Sequence, residues 1–164
     1  MNKFIFSFVI FVSFAGNVFA GLDEIDCSMG VDKIQKSFPG GYLGSESYAV
    51  VNKIMNYNNT IMIFYFNEQR EIRDISFIFP KRNTWPIVQT LKYSYMNKHE
   101  CRKMIKDLSR KLTKSYGEKN LNSSTLSSFS VWFTKDKNLI LLGMTSGGKN
   151  KCTPTINFLN NRKK

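Results

Sequence analysis

Histidine occurs once in this 164-residue sequence, as His99, and cysteine three times, as Cys27, Cys101 and Cys152. No closely spaced Cys/His set exists, so a zinc site is not expected. Acidic residues are sparse as well: 12 Asp and Glu stand against 24 Lys and Arg, a net charge of +12. The carboxylates form two loose groups, Asp23, Glu24 and Asp26 near the start, and Glu68, Glu71 and Asp74 around a turn. Neither lies in an apolar setting that would raise a carboxyl pKa for general-acid work. Ser146-Gly147-Gly148-Lys149 lacks the strand-loop-helix context and the glycine spacing of a phosphate loop and reads as a turn. The one nucleophile-and-base combination, His99 with Cys101, is two residues apart on a helical stretch, which sets the side chains about 200° apart. No catalytic set, metal or cofactor is therefore expected.

Long apolar runs are missing beyond the first twenty residues. Met1-Asn2-Lys3, an apolar run over 4–15 and Gly16-Asn17-Val18-Phe19-Ala20 are the three parts of a secretory signal peptide, with cleavage expected after Ala20. A membrane anchor needs about 20 apolar residues, and this run is shorter and is interrupted by Ser7, Ser13 and Gly16. The expected organisation is a signal peptide over 1–20 and a single domain over 21–164, exported to the periplasm or the extracellular space. Export permits one disulfide from three cysteines.

The clearest element that is present runs over 97–117. Cys101, Met104, Ile105, Leu108, Leu112 and Tyr116 recur at helical spacing, and Lys98, Arg102, Lys103, Lys106, Arg110, Lys111 and Lys114 fill the other side. Asn97 with Glu100 forms a capping box, and Gly117 suits the residue that ends a helix. A shorter helix is expected over 27–39, with Val31, Ile34 and Phe38 on one face and Pro39-Gly40-Gly41 as the stop. Residues 40–47 read as a loop.

Strands are expected over 48–57 and 60–66, joined by a turn at Asn58-Asn59, and over 72–79 after a turn at 67–70. The apolar run 60–66 implies burial on both faces, whereas Ile75, Phe77 and Phe79 alternate with Asp74 and Ser76. A fourth strand is expected over 87–95. Residues 118–128 read as a mobile loop, and strands follow over 129–134, 139–144 and 153–159. The resulting fold class is α+β: an antiparallel meander sheet of six to seven strands, with a short and a long helix packed on one face, arranged as one curved sheet or as two helix-plus-strands halves. If the last three strands form a plain meander behind the long helix, Cys101 and Cys152 lie at opposite ends of the sheet. A disulfide needs Cα atoms within about 7 Å, so Cys27 is the expected member, with its partner undetermined.

Gly30 before a short helix closing in Phe38-Pro39, the hairpins, the long helix closing in Tyr116-Gly117 and the Trp132 strand followed by an apolar strand together resemble small exported bacterial proteins. The layout is similar to the β-lactamase-inhibitory-protein-like fold and to the small outer-membrane-assembly lipoproteins of that shape. The sequence departs from the lipoproteins in that Cys27 follows Glu24-Ile25-Asp26 rather than small apolar residues. The resemblance implies a non-enzymatic domain that binds another protein, and it assigns no residues.

The candidate contact residues are Lys81, Arg82 and Trp85 in the loop before the fourth strand, Lys92 within that strand, and Arg102, Lys106 and Arg110 on the long helix. A loop Trp beside cations suits a protein interface, although Trp85 folded back against the core edge fits the same residues, and the basic helix face suits an acidic partner. The leading expectation is an exported protein-binding domain of the inhibitor or immunity type. The alternatives are a cationic factor on an anionic envelope polymer or membrane surface and, third, an unrecognised hydrolase. Nucleic acid is not expected outside the cell interior.

Overall fold

A computed structural model describes residues 29–81, 95–122 and 129–160. Two helices, α1 (Val31–Ser37) and α2 (Lys98–Tyr116), lie against one antiparallel sheet. Its strands are β1 (Tyr42–Leu43), β2 (Ser47–Ile54), β3 (Tyr57–Phe66), β4 (Ile72–Ile78), β5 (Met96–Asn97), β6 (Leu121–Asn122), β7 (Ser130–Phe133), β8 (Leu139–Ser146) and β9 (Lys151–Leu159). The spatial order is β1-β2-β3-β4-β9-β8-β7-β6, with β5 paired to the start of β9. Each half is a helix followed by a meander, and the last strands of the two halves, β4 and β9, pair at the centre.

The alternation in the sequence decides which side chains meet the helices. Tyr48, Val50, Met62, Phe64, Ile75, Phe77, Ile156, Phe158, Ile140, Leu142 and Trp132 share the helix side of the sheet and pack with Val31 and Ile34 of α1 and Leu108 and Leu112 of α2. Strand β3 is buried on both faces, as its unbroken apolar run implies: Ile61 and Ile63 join Ala49 and Ile78 in a second cluster on the opposite side.

Among the described residues, six of the seven expected strands are present and three two-residue strands are added. The first hairpin turns earlier than Asn58-Asn59. Met55 and Asn56, at φ 49° and 66°, form the turn, and Asn59, at φ 63°, is absorbed as a bulge inside β3. The Met55 carbonyl accepts a 2.9 Å hydrogen bond from Lys111 Nζ, which ties that turn to α2. The stretch read as a loop over 40–47 contains the edge strand β1. The strand expected over 87–95 falls almost wholly outside the described residues, which resume at Tyr95, itself outside any strand.

The disulfide differs from the expectation. Cys101 is bonded to Cys152, with Cα atoms 6.1 Å apart, and Cys27 lies outside the described residues. The reason is a count of chain reversals. The stretch read as a loop over 118–128 includes β6, antiparallel to β7, so the chain turns back once more between α2 and β9 than a plain meander requires. The extra reversal brings the start of β9 to the start of α2, where Met96 pairs with Cys152 and Cys101 follows one helical turn into α2. Among the described residues, no helix is long and apolar enough to cross a membrane.

Candidate binding surface

Helix α2 carries the surface. Its N-terminus is fixed by the expected capping box: Asn97 Oδ1 accepts from the Glu100 N–H at 2.9 Å, and Glu100 Oε2 accepts from the Asn97 N–H at 3.2 Å. Cys101, Leu108 and Leu112 are buried beneath it. Bonding to Cys152 leaves Cys101 without a free thiol, and His99 stands exposed beside it.

The cations of α2 divide into a used set and a free set. Asp107 holds two of them, Arg110 through Oδ1 and Lys111 through Oδ2 at 2.6 Å, while Tyr57 Oη donates to Oδ2 at 2.7 Å. The Lys111 ammonium, followed by the Tyr57 and Arg110 donors, holds the Asp107 carboxyl down to about 2. Burial, reinforced by the same carboxylate, pushes the Tyr57 phenol up. Lys111 also sits 4.6 Å from the centre of the Tyr57 ring. This cluster clamps the β2–β3 hairpin to the helix.

On the outer side, Lys98, Arg102, Lys106, Arg110 and Lys114 recur every four residues and are all exposed. At 1.5 Å and 100° per residue they form a ridge, an oblique row that rises about 24 Å along the axis, about 6 Å per step, while winding about 160° across the outer side of the helix. Arg110 alone of the five makes an ion pair among the described residues. Lys98, Arg102, Lys106 and Lys114 are therefore exposed cations without an ion pair among the described residues.

The fold extends this ridge with residues fifty positions away in sequence. The Lys98 N–H donates to the Asn150 carbonyl at 3.1 Å, and Asn97 lies opposite Lys151 in the β5–β9 pair. Exposed Lys149 and Lys151, in and after the β8–β9 turn, thus sit at the N-terminal end of α2. Beside them opens a cavity of about 680 Å³ whose walls include Phe129, Leu141 and Met144, with Lys98 and Lys151 on its lining.

Of the expected contact residues, Arg102, Lys106 and Arg110 come together on the ridge. Lys81 does not join them as a free charge. Its Nζ lies 3.0 Å from Glu100 Oε1, and this bond holds the Glu100 carboxyl below its ordinary range. Arg82, Trp85 and Lys92 lie outside the described residues. Lys98 and Lys114 could have been added from the four-residue spacing alone; Lys149, Lys151 and the cavity depend on the β5–β9 pairing, which two-residue strands do not announce in sequence. Comparison of the chain with protein-family models, curated proteins and solved structures returns no match.

Proposed function

We propose that the protein is an exported, non-enzymatic binding domain whose ligand is an acidic segment of another protein, laid along the outer face of α2. The observation that carries this reading is the ridge of Lys98, Arg102, Lys106 and Lys114, exposed and without ion pairs among the described residues. Such a row raises the local concentration of anions and gives an acidic chain a register of charges to match. Export is supported by the leader-like first twenty residues and by the Cys101–Cys152 bond, which persists in an oxidising compartment. The resemblance in layout to exported inhibitory proteins points the same way, toward an inhibitor or immunity-type factor.

The test is fluorescence anisotropy with a labelled peptide of ten glutamates, compared with dextran sulfate and with vesicles rich in anionic phospholipid. The reading expects the peptide to bind and the Arg102→Glu/Lys106→Glu variant to lose at least about tenfold in affinity at low salt. Tighter binding of dextran sulfate or vesicles than of the peptide at physiological salt would replace the protein ligand by an envelope polymer or a membrane surface.

A further inference from the structure

Charge alone does not use the cavity at the head of the ridge. Phe129 and Met144 are 38% and 40% exposed, Leu141 is half-buried, and the three line a cavity of about 680 Å³. Single exposed apolar side chains are ordinary; Phe129 and Leu141 on one face of the sheet, around one cavity bounded by cations, are a recognition feature. Gly143 contributes to the space. Its backbone is not left-handed, and a Cβ built there would meet only Phe129 Cβ, at 3.9 Å, so a larger residue would occupy the cavity rather than clash with the backbone. Lys98 belongs to both features, as the first cation of the ridge and as part of the cavity lining.

We infer that the acidic segment bound by α2 carries a large apolar side chain, Phe, Leu or Trp, at the end that reaches Lys98 and continues past the edge of the sheet, and that this side chain seats against Phe129 and Leu141 beside Gly143. This rests on the proposed role of the ridge and specifies its partner: an acidic run closed by an apolar anchor. The division of labour follows from the physics. Exposed cations steer and align, and their contribution fades with salt, whereas an apolar side chain removed from water adds affinity that salt does not screen. Polysaccharides have no such anchor, so the cavity favours a polypeptide ligand.

The experiment uses peptides of eight glutamates with Phe at neither end, at the N-terminus or at the C-terminus, titrated at low and physiological salt. The proteins are the unaltered chain, Gly143→Leu, which puts a side chain into the cavity beside Phe129, and Phe129→Ser, which removes one wall. Thermal melts confirm folding, and Phe129→Ser serves if Gly143→Leu does not fold. One of the two Phe-bearing peptides should bind about tenfold more tightly than the plain one, a gain of about 1.4 kcal/mol. That gain should survive added salt and disappear in both variants, while binding of the plain peptide stays the same. If the plain peptide binds but Phe adds nothing, or if the gain persists in both variants, the anchor is refuted and the ridge stands. If no peptide binds at low salt, the underlying reading itself fails.

Discussion

The half of the molecule that begins with α1 buries its strand β3 on both faces, whereas the half that begins with α2 leaves part of one face open. In the first half a seven-residue helix suffices, because β3 is buried on both sides and Ala49, Ile61, Ile63 and Ile78 form a second cluster away from the helices. In the second half the helix is 19 residues long and capped, and it is bonded to β9 through Cys101 and Cys152. The opposite face there keeps Phe129 and Phe133 exposed and opens the cavity beside Gly143. The first half thus serves as a closed platform, and the second combines a rigid helix with surface that a partner can cover. Both proposed elements of recognition, the cation ridge and the cavity, fall on the second half.

The contrast can be broken first at the disulfide. Replacing both Cys101 and Cys152 with alanine frees a loop with a sequence separation of 51 and uncouples α2 from the start of β9. The expected cost is roughly 2–5 kcal/mol in urea unfolding, and the chain-entropy relation puts it near 4 kcal/mol. The loss should be felt at Lys98, Lys149 and Lys151, so that the ridge loses its extension even where α2 itself stays helical.

A smaller effect is expected at Asp107, which joins the halves by binding Tyr57 from the β2–β3 hairpin and Lys111 from the helix. Its carboxyl is held at about 2, below the ordinary 3.8, so the folded chain takes up this proton at lower pH than the unfolded chain does. The stabilisation is complete above about pH 4 and is lost as pH falls toward 2. Asp107→Asn should lower stability at neutral pH by on the order of 1–2 kcal/mol, and its stability should fall less steeply than that of the unaltered protein between pH 4 and 2. Denaturant midpoints across that range measure both effects.

The smallest effects concern the helix starts. Asn97→Ala removes the side-chain half of the capping box on α2 and should cost about 1 kcal/mol. Helix α1 has Gly30 in that place, with no side-chain cap, extended backbone and no atom within 4 Å of a Cβ built there. Gly30→Ser should therefore stabilise by a few tenths of a kcal/mol. Opposite signs in thermal melts would show that α2 is already optimised at its N-terminus and α1 is not.

What could be read from sequence follows the range of the interactions. The capping box at Asn97 and Glu100, the stripe through Leu108 and Leu112 and the double burial of β3 depend on neighbours within a few positions, and all three are visible in the residue pattern. The turn lies at Met55-Asn56 rather than at the stronger local turn signal of Asn58-Asn59 because its left-handed backbone is supported from outside, by Lys111 and by the packing of Met55 and Tyr57 on the core. The Cys101–Cys152 pairing is not visible in the residue pattern because two residues of β6 reverse the chain without a recognisable strand pattern. On the surface, the ridge residues Arg102, Lys106 and Arg110 follow from helical periodicity. The cavity does not, since Phe129, Leu141, Gly143 and Lys98 meet only after β5 has paired with β9.

The most direct measurement compares charge reversal on the two helices. Lys33→Glu/Lys36→Glu on α1 and Arg102→Glu/Lys106→Glu on α2 change the net charge equally, and all four residues are exposed. Titration of a ten-glutamate peptide at low salt should show a loss of at least about tenfold for the α2 pair and less than about twofold for the α1 pair. Equal losses would mean that the peptide responds to overall charge and that α2 is not a recognition surface.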